Sequence, residues 1–284
     1  FFGEGISRSL DDFGGQGEPP THPELLDYLA VDFYENGWEI KRAIKQVVMS
    51  QAYRQSSIPS PDQFAQDPEN RLFARQSRFR LPAEFVRDTA LGISGLLNPT
   101  IGGPSVHPYQ PAGYYRHLNF PKRTYHADQD RQQWRRGVYV HWQRQFLHPM
   151  LKAFDAPNRE ECTARRPESN TPLAALTLLN DPTFVEASRN FAQRIQKEGG
   201  KTDMSRLNYA CQVAVSRNPD PQEVGLLLKL LQLNRTRFTK TPAEAEKLLS
   251  TGMTPGPESD VTELAAWTEV SRAILNMSET TTRN

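Results

Sequence analysis

Glu84 and Asp88 stand four residues apart in the run AEFVRD, a spacing that puts two carboxylates on one face of a helix, where they could work as an acid–base pair. Arg87 lies between them and Arg78 and Arg80 just upstream, so the same residues also make an ion-pair lattice, which is the preferred reading. Arg165 and Arg166 could anchor an anion or a substrate. Tyr109 and Tyr114, in a segment dense with aromatic rings, could form a stacking platform. Under a catalytic reading, Glu84 or Asp88 would be the acid–base group. Five histidines, His107, His117, His126, His141 and His148, fall in one neighbourhood, with His141 and His148 the pair closest to a ligand-like arrangement. No HExxH or Asp/Glu-His constellation accompanies them, so no metal site is expected. Cys162 and Cys211 are far apart and outside any CxxC or CxxCH. Gly92-Ile93-Ser94-Gly95 lacks the spacing of a nucleophile elbow, and Gly14-Gly15-Gln16-Gly17 follows no strand, so neither is a site.

The elements that must position these residues are helices. Thr171-Pro172, Asp181-Pro182, Asp220-Pro221 and Thr241-Pro242 each set a side-chain acceptor before a proline, as where a cap precedes a first helical residue whose missing N–H costs nothing. His22-Pro23 and Asp67-Pro68 are read in the same way. Asn180-Asp181 is a hinge between two helices, its side chains expected to bond nearby backbone. Leu173, Ala175, Leu176 and Leu179 are spaced for one face of the first helix, and Phe184, Val185, Phe191, Ala192 and Ile195 for the second. Pro23 to Ala52, broken at Gly37-Trp38, reads as a helical hairpin. Further helices are expected after Pro82, through Leu207 to Val215, from Val224 to Leu231 and from Leu264 to Ile274. Gly137 to Trp142 alternates at period two and is read as a strand or extended strip. The expected fold is mainly α: a multi-helix globular domain with a long aromatic and proline-rich loop region and at most one or two short strands. Residues 1–97 are expected as an N-terminal helical part, 98–143 as a loop-rich insert with the short strand, and 144–284 as a C-terminal helical part, integrated as one domain.

The 98–136 stretch, with Tyr109, Tyr114, Tyr115, Phe120-Pro121 and Tyr125 and interspersed Lys122, Arg123 and Arg131, is long enough to be functional. Its rings could line a cleft that recognises sugars, although stapling the excursion onto the helices is the preferred reading. The chain has 284 residues and a formal charge of +1, so no global field points to nucleic acid. No run of eighteen apolar residues occurs, so no membrane span is expected. The chain starts at Phe1 without Met and ends in a polar tail after Met277, and is expected to be a fragment of a longer polypeptide.

Three stretches carry a family resemblance: Asp11 to Ser57, Asp67 to Asp88, and Phe154 to Glu186. Together with Gly102-Gly103-Pro104, Pro108-Tyr109-Gln110-Pro111 and Ala266-Trp267-Thr268-Glu269, they resemble the domain of unknown function 1553, with His22, Arg80, Arg87, Asn180 and Asp181 as structural motif residues. Ala174 stands where relatives often carry Gln, and Tyr114-Tyr115 where Leu-Trp is frequent. The resemblance implies the C-terminal domain of large exported proteins abundant in planctomycetes and related bacteria. It also implies an extracytoplasmic setting, no cofactor in this chain, and a c-type haem in a domain upstream. Implied partners are the upstream domains of the same polypeptide and a polysaccharide or a redox protein. No catalytic residues come with the family. The function that follows is a non-catalytic structural or interaction module, with a carbohydrate-binding or carbohydrate-active domain as the alternative.

Overall fold

The computed structural model describes residues 1–118, 122–255 and 260–283, which leaves Phe120-Pro121 of the aromatic loop outside the described residues. The fold is mainly α, with twelve α-helices and one two-stranded sheet among the described residues. Two compact units are present, Phe1–Arg80 with Thr282–Asn284, and Leu81–Thr281.

In the first unit, α1 (Pro23–Glu35) and α2 (Ile40–Met49) form the expected hairpin. Gly37 and Trp38 reverse the chain with φ of 72° and 62°, and the Trp38 N–H donates to Phe33 O at 2.9 Å. The Trp38 ring packs edge-on to Phe33, which offsets the strain of a left-handed non-glycine residue. His22 precedes Pro23 as expected but caps nothing; its Nδ1 lies 2.9 Å from Thr21 Oγ1. A short α3 (Pro61–Gln66) is closed by a capping box between Ser60 and Gln63. Asp67-Pro68 does not open a helix. The Asp67 carboxylate instead accepts the N–H groups of Arg71 and Leu72, both at 2.8 Å, and the Arg75 guanidinium donates to Asp67 O and Pro68 O. These bonds fold a tight turn, with Asn70 and Phe73 at positive φ, in place of helical backbone pairing. β1 (Phe79–Arg80) pairs antiparallel with β2 (Thr282–Arg283), in the register Phe79 to Arg283 and Arg80 to Thr282, and so places Arg80 on a strand.

The second unit holds the apolar core. α7 (Pro182–Glu198) and α11 (Val261–Leu275) are its centre, and α4 (Ala83–Ser94) and α9 (Pro221–Lys240) pack against them. Phe184, Phe191, Ile195, Leu207, Leu231, Trp267, Val270 and Ile274 are fully enclosed. The remaining helices are α5 (Pro149–Ala153), α6 (Pro172–Asn180), α8 (Asp203–Val215), α10 (Pro242–Leu249) and the four-residue α12 (Ser278–Thr281). Thr171, Asp181 and Asp220 accept backbone N–H groups of the first turns of α6, α7 and α9. Thr241 precedes α10 without a capping bond; its hydroxyl donates instead to Arg237 O at 2.9 Å. Arg235 of α9 reaches Asp203 at 2.7 Å and Glu263 at 2.6 Å, clamping α8 and α11 to it.

Two expectations are corrected in this unit. On α6 the buried face is Ala174 and Leu178, whereas Leu173 and Leu176 are 60% and 54% exposed. Six of the nine residues are Leu or Ala and surround the short helix, so spacing alone selects no face. Gly137 to Trp142 is not a strand: Gly137–Tyr139 is a 3-10 turn, and Val140 is extended, in an isolated parallel bridge to Val106. The backbone of Gly137 lies on α4, where a Cβ would come within 2.7 Å of Glu84 Cα, and its N–H donates to Asp88 Oδ1 at 2.6 Å. Docking on that helix curls the segment before it can pair as a strand.

Candidate functional site

The loop region from Asn98 to Arg136 is fastened to α4 by buried arginines. Arg87, wholly enclosed, donates to Arg135 O and Gln133 O. Arg135 in turn donates to Pro104 O at 3.0 Å, Thr100 O at 3.1 Å and Gly102 O, and its guanidinium lies 3.8 Å from the centroid of the Tyr139 ring. Each planar fork thus satisfies carbonyls of an irregular segment that has no ladder of its own. Burial pulls the Arg87 guanidinium down to about 10, with Asp88 and Asp181 opposing the shift. Burial raises the Asp88 carboxyl, partly offset by its bond from Gly137 N.

Glu84 points to a different partner, Arg166, at 2.8 Å. The two carboxylates of the expected acid–base pair are therefore engaged separately, Glu84 in an ion pair and Asp88 on a backbone N–H. Arg165 is exposed, as is Asn180, whose Nδ2 donates to Leu176 O at 2.9 Å. Asp181 accepts from Thr183 N at 2.9 Å, and burial raises its carboxyl to about 6. Of the histidines, His107 and His141 stack with ring centroids 4.8 Å apart. His148 is buried, donates from Nε2 to Tyr109 O at 2.8 Å, and is depressed to about 4 by loss of solvent. Among the described residues no three His, Cys, Asp or Glu gather as a metal site would require. Cys162 is exposed and Cys211 buried, both as free thiols, with burial raising Cys211 to about 11.

Sequence reasoning missed a buried polar centre. Glu186, fully buried on α7, accepts Tyr109 Oη and Trp134 Nε1 at 3.0 Å on Oε2, and Met253 N and Thr254 N at 2.6 and 2.7 Å on Oε1. Arg189, one turn on, lies 3.8 Å from it and donates to Leu249 O and Thr254 O. Burial and the Glu186 charge both raise the Tyr109 phenol. The only local signal was two charges at i and i+3 in a stretch whose neighbouring positions Phe184, Val185, Ala187 and Ser188 are apolar or small.

An open cleft of about 540 Å³ lies in the loop itself, between Gln110 and Tyr125. Tyr114 lines it; Tyr109, Arg165 and Arg166 do not. Its rings are held from behind: Tyr114 Oη donates to Leu147 O at 2.9 Å, Tyr125 Oη to Pro108 O, and Tyr115 packs edge-on to Tyr125 and Phe146. Arg116, Lys122 and Arg123 stand on its rim.

A family model described as PSD1, protein of unknown function (DUF1553), matches residues 1–231. No curated protein and no solved structure matches the chain.

Proposed function

The chain belongs to the DUF1553 family, and on that premise we propose that it is a helical structural and interaction module, not a catalytic one, of a longer exported polypeptide. One observation carries this reading: α1, α2 and α3 contain no buried residue, although α1 and α2 are amphipathic. Tyr28, Val31, Tyr34 and Ile44 are exposed, and Ile40 reaches 67%. Beside them an apolar hollow of about 550 Å³ is lined by Phe2, Leu25, Tyr28, Val47 and Phe73 among others. Apolar surface of this extent on a hairpin is what a docking face presents before its partner covers it. The engagement of Glu84, Asp88, Arg87 and Glu186 in internal bonds supports the same reading, since Glu84 and Asp88 are held apart by separate partners. The partner proposed is the upstream part of the same polypeptide, in an extracytoplasmic setting. Neither Cys162 nor Cys211 lies in a CxxCH, so a c-type haem would be attached outside this chain.

The test is binding of the whole chain to the separately purified upstream region encoded by its gene, measured by calorimetry. Tyr34→Glu and Ile40→Glu, both at exposed positions, are expected to weaken the complex at least tenfold with an unchanged far-ultraviolet spectrum. No binding by the unaltered chain, or equal binding by both variants, refutes the docking role. A second reading, recognition of a carbohydrate, is favoured by the loop cleft alone.

A further inference from the structure

We propose that the cleft between Gln110 and Tyr125 binds an anionic saccharide, a sugar bearing carboxylate or sulfate groups. Arg116, Lys122 and Arg123 would meet the charges, and Gln110 and Tyr115 the hydroxyls. The proposal rests on the carbohydrate reading of the cleft and adds the class of ligand.

Three kinds of unengaged group converge there. The cations come first. Many arginines of this unit are held by carboxylates or carbonyls, as Arg217 is by Glu223 and Glu279, and Arg235 by Asp203 and Glu263. Arg116 and Lys122 have no ion pair among the described residues, and Arg123 has only a 3.3 Å bond to Gln143 Oε1. Among the described residues no Asp or Glu lines the cleft, so its charge is positive. Second, both amide atoms of Gln110 are shut off from solvent without a hydrogen-bond partner. Turned into the cleft that it lines, this amide would both donate to and accept from a ligand. Third, the Tyr115 hydroxyl has no bond among the described residues, whereas those of Tyr114 and Tyr125 are tied to backbone carbonyls. The first ring is thus free to exchange hydrogen bonds while its neighbours are fixed as walls.

The dimensions and walls favour a sugar over a simple anion. At about 540 Å³ the space is far larger than an oxyanion and falls within the ~300–1,000 Å³ of small-molecule sites. Tyrosine rings supply flat apolar faces for the C–H surface of a pyranose, and their rims supply hydrogen bonds. A phosphate-type site would instead converge backbone N–H groups on one point. Nucleic acid is disfavoured because the chain carries a formal charge of only +1, and the three cations form a local cluster, not a stripe along a backbone track.

The experiment is calorimetric titration of the whole chain with digalacturonate and with the disaccharide of chondroitin 4-sulfate. Lactose, sodium sulfate and a single-stranded DNA oligonucleotide serve as comparisons. One acidic disaccharide is expected to bind at least tenfold tighter than lactose. The exposed pair Lys122→Gln with Arg123→Gln should lower that affinity at least tenfold without altering the circular dichroism, and Tyr115→Phe should lower it about fivefold, the weight of one hydrogen bond. Equal binding of lactose overturns the anionic class while leaving the carbohydrate reading in place. Binding of no saccharide overturns both. Equal competition by sodium sulfate or the oligonucleotide overturns the saccharide assignment in favour of a general anion site.

Discussion

Replacement of Glu186 by Gln tests whether the second unit is organised around one buried carboxylate. The substitution keeps the shape and exchanges one acceptor oxygen for an N–H₂ donor. Placed toward Met253 and Thr254, that group would face two backbone N–H donors now held at 2.6 and 2.7 Å, stranding both. Placed the other way, it would face Tyr109 and Trp134; the phenol can rotate to accept, but the indole N–H cannot, so one donor is stranded. The second orientation is the cheaper. It leaves one bare buried donor at about 1–3 kcal/mol, weakens the remaining bonds by removing the charge that assists them, and leaves Arg189 without its neighbour. The sum is about 3–5 kcal/mol, the usual cost of breaking a buried charge pair from one side. That is a large share of the ~5–15 kcal/mol that holds a domain together. In urea denaturation followed by far-ultraviolet circular dichroism, the midpoint is expected to fall by about 1–2.5 M for a slope of about 2–3 kcal/mol per M. Because the stranded group is the indole, Glu186→Gln should cost about 1–2 kcal/mol less in a Trp134→Phe background. A Glu186→Gln midpoint within about 0.2 M of the parent, given that slope, or strict additivity with Trp134→Phe, would refute the reasoning.

Two further perturbations have defined signs. His148 is depressed to about 4 in the folded chain from an ordinary value near 6.5, so between those values the unfolded chain binds the extra proton and stability is lost as pH falls. Asp181 is raised to about 6 from 3.8, so there the folded chain binds the extra proton and stability is gained as pH falls through the same region. His148→Gln should therefore make stability between pH 4 and 6 rise on acidification, and Asp181→Asn, which retains a capping side chain, should steepen its fall; denaturant midpoints across that range check both. Gly137→Ala would bring a methyl within 2.7 Å of Glu84 Cα and 2.8 Å of its carbonyl oxygen. A loss of about 1–3 kcal/mol is expected by thermal melting. Gly92→Ala, late in the same helix with open space around it, should instead gain about 0.5–1 kcal/mol.

The helices were legible because their starts are written locally. Proline at the first position and an acceptor before it specify Pro172, Pro182 and Pro221 without reference to the rest of the chain. The same local signal failed at Asp67, whose carboxylate found N–H groups four and five residues on in a turn, a choice set by Arg75 arriving behind it. Period-two alternation at Gly137 was overruled by contact with a helix about fifty positions earlier. The anchoring of the loop was illegible for a different reason. Arg87 and Arg135 bind carbonyls, which every residue possesses, so the partner leaves no mark in residue type. Glu186 likewise draws half its donors from the backbone of Met253 and Thr254. The cleft was legible in outline, since aromatic and basic residues mixed over 110–125 marked it. Which tyrosine hydroxyls remained unbonded depended on the backbone that the loop lies against.

The placement of α11 bears on how a ribosome must deliver this molecule. Nine of its residues are buried, and its main contacts are with α7, whose own sequence is finished some sixty residues earlier. Delivery from the N-terminus therefore brings α7 out with α4 and α6 already available to part of its surface, and with the face that α11 covers still open. A nascent chain stalled before Val261 would hold α7 without the helix it packs against most, making that interval the point at which chaperone capture, or aggregation, competes with folding.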